Sequence, residues 1–288
     1  LTDKAKEELL CELNINEVGK SVNGLIKAET LAEKNLIYNT SECNQITELS
    51  SILSENRFNE VQNRLRSVGM RPGFCCIFYG APGTGKTETV YQLARQTGRD
   101  IMRVDVDKIK SCWVGESEKN IKALFDRYRN ICKNSKLAPI LLFNEADAVL
   151  GVRMEGAAKA VDKMENSIQN IILQEMETLE GIMIATTNLT TNLDKAFERR
   201  FLYKIRFDKP SVESRAKIWQ TMLPDLSEHD AQTLASQFDL SGGEIENIAR
   251  KHSVNAILKG NDSIDVQEII NSCRHERLSQ NNCPKIGF

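Results

Sequence analysis

Gly73 to Val90 reads GFCCIFYGAPGTGKTETV, and the fold class follows from it. The apolar run Phe74 to Tyr79 predicts a strand, Gly80 to Lys86 a glycine-rich loop, and the residues after it a helix. The loop reads Gly80, Ala81, Pro82, Gly83, Thr84, Gly85, Lys86, and is followed by Thr87 and Glu88. Gly80, Gly85, Lys86 and Thr87 satisfy the pattern G-x-x-x-x-G-K-[ST]. The chemistry explains the spacing. Glycines let backbone N–H groups turn inward around phosphate oxygens, with no Cβ in the way. The helix that follows aims its partial positive charge at the same point. A lysine there can reach the β- and γ-phosphates, and a threonine hydroxyl can ligate Mg²⁺. A surface turn could match the pattern by accident, but strand, loop and helix stand in the required order. A nucleoside-triphosphate site, for ATP or ADP with Mg²⁺, is the expectation.

Working outward, strand and helix patterns alternate. IMRVDV (Ile101 to Val106), ILLF (Ile140 to Phe143), IMIATTN (Ile182 to Asn188) and Leu202 to Phe207 read as strands. Helical spacing fills Lys86 to Thr97, Glu118 to Asn134 and the stretch from Ala160 to Leu179. Alternation of this kind predicts a parallel sheet covered on both faces. Upstream, residues 1–34 read as a helical segment, with Leu9, Leu10, Leu13, Val18, Leu25, Ile26 and Leu31 among charges. Asn35 to Asn44 breaks that pattern, and two further helices carry Ile46 to Leu53 and Phe58 to Val68. Pro210 marks a boundary, after which only helical patterns follow: Val212 to Met222, Asp230 to Phe238, Gly242 to Lys259 and Ile264 to Leu278. The expected organisation is a helical segment over 1–34, an α/β nucleotide-binding domain over 35–209 and a four-helix lid over 210–288.

Composition narrows the class. At 288 residues the chain suits about two domains. The formal net charge of −2 argues against a general nucleic-acid-coating surface, though not against a local basic channel. No apolar run approaches about 18 residues, so no membrane span is expected. The opening LTDKAKEELL has neither a starting Met nor a signal-peptide pattern, and reads as a piece of a longer protein. The eight cysteines form no C-x-x-C pair, and His229, His252 and His275 lie far apart. Neither a zinc site nor a disulfide framework follows, and reduced thiols in a cytoplasmic protein are the simplest reading.

Together these motifs resemble the AAA+ ATPases over roughly Leu36 to Leu278, in particular the katanin- and spastin-like subgroup and bacterial AAA proteins of unassigned function. The resemblance implies a five-stranded α/β P-loop domain, a helical lid, and a ring, usually of six subunits, with ATP at subunit interfaces. In the strand LLFNE, Asn144 stands where the family places an aspartate that holds Mg²⁺, often through water, and Glu145 where a glutamate polarises the attacking water. A carboxylate at the end of a buried strand suits that work. Glu145 and Asp147 would also suit a solvated helix start. Asn188, after strand IMIATT, matches the sensor-1 position, although asparagine is equally at home in a plain turn. Lys195 to Phe201, KAFERRF, resembles the arginine-finger segment, with Arg199 and Arg200 as candidates acting from a neighbouring subunit.

Trp113, Val114 and Gly115 resemble the first pore loop, whose aromatic grips an extended polypeptide in the family; the bland reading packs Trp113 into its own domain. Gly243, in Ser241 to Ile245, matches a small-residue lid segment near the nucleotide, and no arginine stands there. Three functions from different classes fit these residues. The first is a homo-oligomeric ATP-driven motor that remodels a protein substrate. The second is a nucleotide-controlled scaffold with slow or no hydrolysis, a reading that Asn144 favours. The third is a nucleic-acid-associated ATPase.

Overall fold

The computed structural model describes residues 24–105, 117–152, 160–259 and 265–276. Its centre is a parallel sheet of Phe74–Gly80 (β1), Ile101–Asp105 (β2), Ile140–Asn144 (β3), Ile182–Thr187 (β4) and Tyr203–Phe207 (β5), in the order β2-β3-β4-β1-β5. Strands β3 and β4 are buried at every position and β1 at all but Tyr79, whereas β5, at an edge, buries only Ile205 and Phe207. Near-continuous apolar runs are what strands covered on both faces require. The register sets Phe78 and Tyr79 opposite Thr186 and Thr187, Phe143 opposite Ala185, and Asp105 opposite Asn144. Phe74, Ile182, Ile140 and Ile101 therefore start level, and the strands run in one direction to the C-terminal edge, which is where ligands gather in open α/β sheets.

Before the sheet stand helices Thr40–Leu53 (α1) and Glu55–Ser67 (α2). Between and after the strands come Lys86–Thr97 (α3), Ser117–Asn134 (α4), Asp147–Leu150 (α5), Ala160–Thr178 (α6) and Lys195–Glu198 (α7). Four helices follow the sheet: Val212–Met222 (α8), Glu228–Gln237 (α9), Gly242–Lys259 (α10) and Val266–His275 (α11). They close around the buried Trp219, Leu234, Ile245 and Ile269. Contacts divide the chain into two compact units. One comprises residues up to Lys34, Gln45–Tyr79 and Thr87–Ile205; the other comprises Asn35–Asn44, Gly80–Lys86 and residues from Arg206 onward.

The helical expectation for residues 1–34 fails over 24–34. There the chain is a strap with a single 3-10 turn, Ala28–Thr30. Leu25 enters the core, while Ile26 makes an antiparallel bridge to Ile101 through two 2.8 Å hydrogen bonds. The strap then crosses α3. Gln92 receives the Lys34 N–H and donates to the Ala32 carbonyl, Arg95 pairs with Glu33, and Lys34 pairs with Glu88 at 2.9 Å. Bonding to the sheet and helix outweighs the local pattern, which is a weak prior. Residues 1–23 lie outside the described residues.

In the second unit, Asn39 and Glu42 fasten the passage into the helical bundle. The Asn39 side chain receives the Ser211 N–H at 2.8 Å and donates to the Lys209 carbonyl at 3.2 Å; the buried Glu42 carboxylate receives the Asp208 N–H at 2.8 Å. The described cysteines are free, and burial pushes the Cys75 thiol up to about 12. Among the described residues no helix is long and apolar enough to cross a membrane.

One hydroxyl ties together the starts of β3 and β4. Tyr128 Oη, fully buried on α4, receives the Ile182 N–H at 2.8 Å and lies 2.8 Å from the Pro139 carbonyl and 3.0 Å from that of Ile182. A Cβ at Gly181 would fall 2.2 Å from that oxygen, so glycine is required there. Burial holds the hydroxyl neutral. Tyr128→Phe leaves the Ile182 N–H without this partner and is expected to cost about 1–3 kcal/mol. Urea unfolding measures it, and an unchanged midpoint would show the hydroxyl to be dispensable.

Candidate nucleotide site

The loop after β1 has the backbone its sequence demands. Gly80, Gly83 and Gly85 have φ of 144°, 73° and 90°, values that L side chains rarely adopt. Lys86 is buried, and its ammonium donates to the loop carbonyls of Gly80 at 2.9 Å and Ala81 at 2.7 Å. The Thr84 hydroxyl donates to Ala81 as well. The loop thus presents carbonyls to its own lysine, and that ammonium must exchange them for phosphate oxygens to serve as the motif expects.

In the same unit the loop meets the start of α10. Gly243 N–H donates to the Gly83 carbonyl at 2.8 Å. Ser241 and Glu244 form a capping box: Ser241 N–H donates to the Glu244 carboxylate at 2.7 Å, and Glu244 N–H to Ser241 Oγ at 3.3 Å. A Cβ on Gly243 would lie 3.1 Å from Gly83 Cα, and one on Gly83 2.8 Å from Ser241 Oγ. Backbone therefore packs on backbone, which accounts for glycine, and no arginine, at position 243.

The other unit holds the strand-end residues in one hydrogen-bonded network. The buried Asn144 carbonyl oxygen receives the Thr87 hydroxyl at 2.8 Å and the Thr186 hydroxyl at 3.3 Å. Thr186 Oγ1 in turn accepts the Glu145 N–H at 3.1 Å, and the Thr186 carbonyl accepts the Ala146 N–H at 2.8 Å. These bonds secure an unusual backbone. Glu145 has φ of 52°, the only positive value among the described non-glycine residues, and its side chain is exposed. Strain of this kind persists where surrounding bonds over-determine it, and it clusters at functional sites. Asn188 is exposed just past β4.

Thr186 has no role in the sequence reading beyond marking a position. The available signal is a pair of threonines closing an otherwise apolar buried strand, since buried hydroxyls must find partners. The two arginines differ. Arg199 is exposed, and its Nε donates to the Lys195 carbonyl at 3.2 Å. Arg200 is held at home by an ion pair to Glu177 and a 2.8 Å bond to the Ala196 carbonyl, and Glu177 also pairs with Arg71. Trp113, Val114 and Gly115 lie outside the described residues. Among the described residues no group of three or more His, Cys, Asp or Glu could hold a metal ion.

Residues 76–209 match the family described as "ATPase family associated with various cellular activities (AAA)". Residues 211–278 match a second, described as "Contractile injection system ATPase helical domain". Protein CdcH of Halobacterium salinarum is 29% identical over 208 residues, 69% of this chain and 27% of that protein. The 26S proteasome regulatory subunit 7 homolog of Saccharomyces cerevisiae is 31% identical over 166 residues, 54% of this chain and 34% of its own. The proteasome-activating nucleotidase of Methanosarcina mazei is 25% identical over 249 residues, 78% and 56% respectively. The chain therefore spans between about a quarter and just over half of the length of these relatives. With the loop and the parallel sheet in this order, residues 76–209 form an ATPase domain of the AAA family.

Proposed function

We propose that this chain hydrolyses ATP and uses the energy to remodel a protein component of a contractile injection system, working as a homo-oligomeric, ring-forming assembly. The network that joins Thr87, Asn144 and Thr186 and holds Glu145 in a strained, exposed conformation carries the catalytic part of this reading. The helical-domain match over residues 211–278 carries the biological setting.

The residues fit a magnesium nucleotide. Loop positions 83 and 85 have φ values suited to glycine, the Lys86 ammonium is the charge for the phosphates, and the Thr87 hydroxyl and Asn144 carbonyl are hard oxygen donors already 2.8 Å apart. Bound with ATP, Mg²⁺ would neutralise charge on the phosphates. Gly80 to Glu88 would hold the nucleotide, with Gly243 bracing the loop. Thr87 and Asn144 would hold the ion, Asn144 through a water shell. Glu145 would accept a proton from, or orient, the attacking water, and the Asn188 amide would bond the terminal phosphate. Arg199, exposed, is the member of the arginine pair suited to reach a neighbouring copy's nucleotide, and the Arg200–Glu177 pair would anchor its segment. Trp113, Val114 and Gly115 would contact the protein being moved.

Asn144 supports a second reading, a nucleotide-controlled scaffold, because an amide supplies a carbonyl and no formal charge. Turnover decides between them. Glu145→Gln in the assembled protein is expected to abolish hydrolysis while retaining ATP affinity, and with ATP present it should trap the partner. A protein in the eluate supports the remodelling reading, and nucleic acid overturns it.

Lys86→Ala removes a charge-assisted phosphate contact worth about 1.5–3 kcal/mol and should weaken ATP binding by roughly 10- to 100-fold in calorimetry. Asn144→Asp should lower the Mg²⁺ concentration needed for half-maximal turnover, and turnover of the starting protein no faster than Glu145→Gln at saturating Mg²⁺ would establish the scaffold. ATPase activity per subunit should rise with protein concentration. Arg199→Ala should reduce kcat by about 10³-fold or more while changing ATP affinity little.

A further inference from the structure

Asp147 lies two residues beyond Glu145, and its carboxylate is turned toward the end of β4. Its Oδ1 receives the Thr187 hydroxyl at 2.5 Å and the Asn188 backbone N–H at 2.9 Å. Thr187 Oγ1 then accepts the Leu189 N–H at 3.0 Å. Three successive groups at the end of β4 are thus tied, directly or through one hydroxyl, to a single carboxylate oxygen. Thr187 is almost wholly buried, so its hydroxyl has no bulk water to fall back on. An ionised carboxylate is acceptor-only and forms stronger hydrogen bonds than a neutral amide.

The tie is reciprocal. Thr186, on β4, accepts the N–H groups of Glu145 and Ala146 and thereby holds the turn after β3. Asp147, on that turn, accepts from Thr187 and Asn188 and thereby holds the end of β4. Each turn fastens the other, so Glu145 and Asn188 belong to one rigid node. We propose that Asp147 is a positioning residue that fixes Asn188 relative to Glu145, and that this node makes the site distinguish ATP from ADP and sets kcat. The proposal rests on the ATPase reading above. Asp147 touches neither nucleotide nor water in this role; it acts through the backbone of residue 188. A misplacement of about 1 Å at a reacting centre can cost on the order of 100-fold in rate.

The test compares the starting protein with Asp147→Ala, Asp147→Asn and Thr187→Val, singly and with Asp147→Ala/Thr187→Val combined. The readouts are kcat, KM, the affinity ratio of a non-hydrolysable ATP analogue to ADP by calorimetry, and the thermal midpoint. Asp147→Ala is expected to lower kcat roughly 10- to 100-fold with KM within about twofold. The ATP-analogue-to-ADP ratio should fall toward one, with ADP affinity unchanged. Asp147→Asn, which keeps a carbonyl acceptor, should fall between. The double variant should be no worse than Asp147→Ala alone, as expected of partners in one interaction. Three results would overturn the proposal: an unchanged affinity ratio, a starting protein that does not distinguish the two nucleotides, or a parallel loss of thermal midpoint and ADP affinity in both Asp147 variants, which marks a purely structural residue. If the starting protein shows no turnover above Glu145→Gln, the ATPase reading fails, and the affinity ratio still judges Asp147 on its own.

Discussion

One oxygen atom organises the chemical end of the sheet. The Asn144 carbonyl oxygen takes hydroxyl protons from α3 and from β4 at once, and so fixes the first turn of a helix, the end of a strand and its own backbone in one place. The constraint follows from burial. Thr186 and Asn144 are almost inaccessible to water, and a polar group there costs free energy unless it is bonded. An amide satisfies this demand as an acceptor and brings no charge to be desolvated. The residue that departs from the family pattern is therefore well accommodated by its surroundings, and its cost falls on the ion and not on the fold.

Much of the architecture was legible because periodicity is strong where both faces of the sheet are covered. The bounds of α3, α8 and α10 coincide with their sequence patterns, and ILLF and IMIATT could hardly be anything other than buried strands. The strap over 24–34 was not legible. Its Leu25, Ile26 and Leu31 among charged residues imitate an amphipathic helix, while the partners that hold it, Asp100, Ile101 and Gln92, lie about 60 to 75 residues away in sequence. The four-residue helices α5 and α7 are too short to leave a period.

The candidate site divides in the same way. A glycine-rich loop announces itself through spacing, because residues with a side chain rarely take the backbone angles observed at positions 83 and 85. The supporting residues do not. Thr186, Asp147 and Tyr128 act through hydrogen bonds to residues 40 to 54 positions away in sequence, and nothing in their sequence neighbourhoods distinguishes them from a strand threonine, a helix-start acid or a core aromatic. The absence of an arginine at position 243 was visible, but its reason, two glycine backbones in direct contact, needed coordinates.

The strap also governs how the domain can be handled. β2 is an outer strand, and the Ile26 bridge occupies part of its open flank. Unpaired strand edges template association with other chains. A fragment begun at the family boundary near residue 76, or anywhere after Ile26, bares that flank of Ile101. A start beyond Lys34 also removes the residues that brace Gln92 and Glu88 on the helix carrying Thr87. Sticky, poorly behaved fragments would then reflect a missing selvedge, and the boundary suited to biophysical work lies upstream of Gly24.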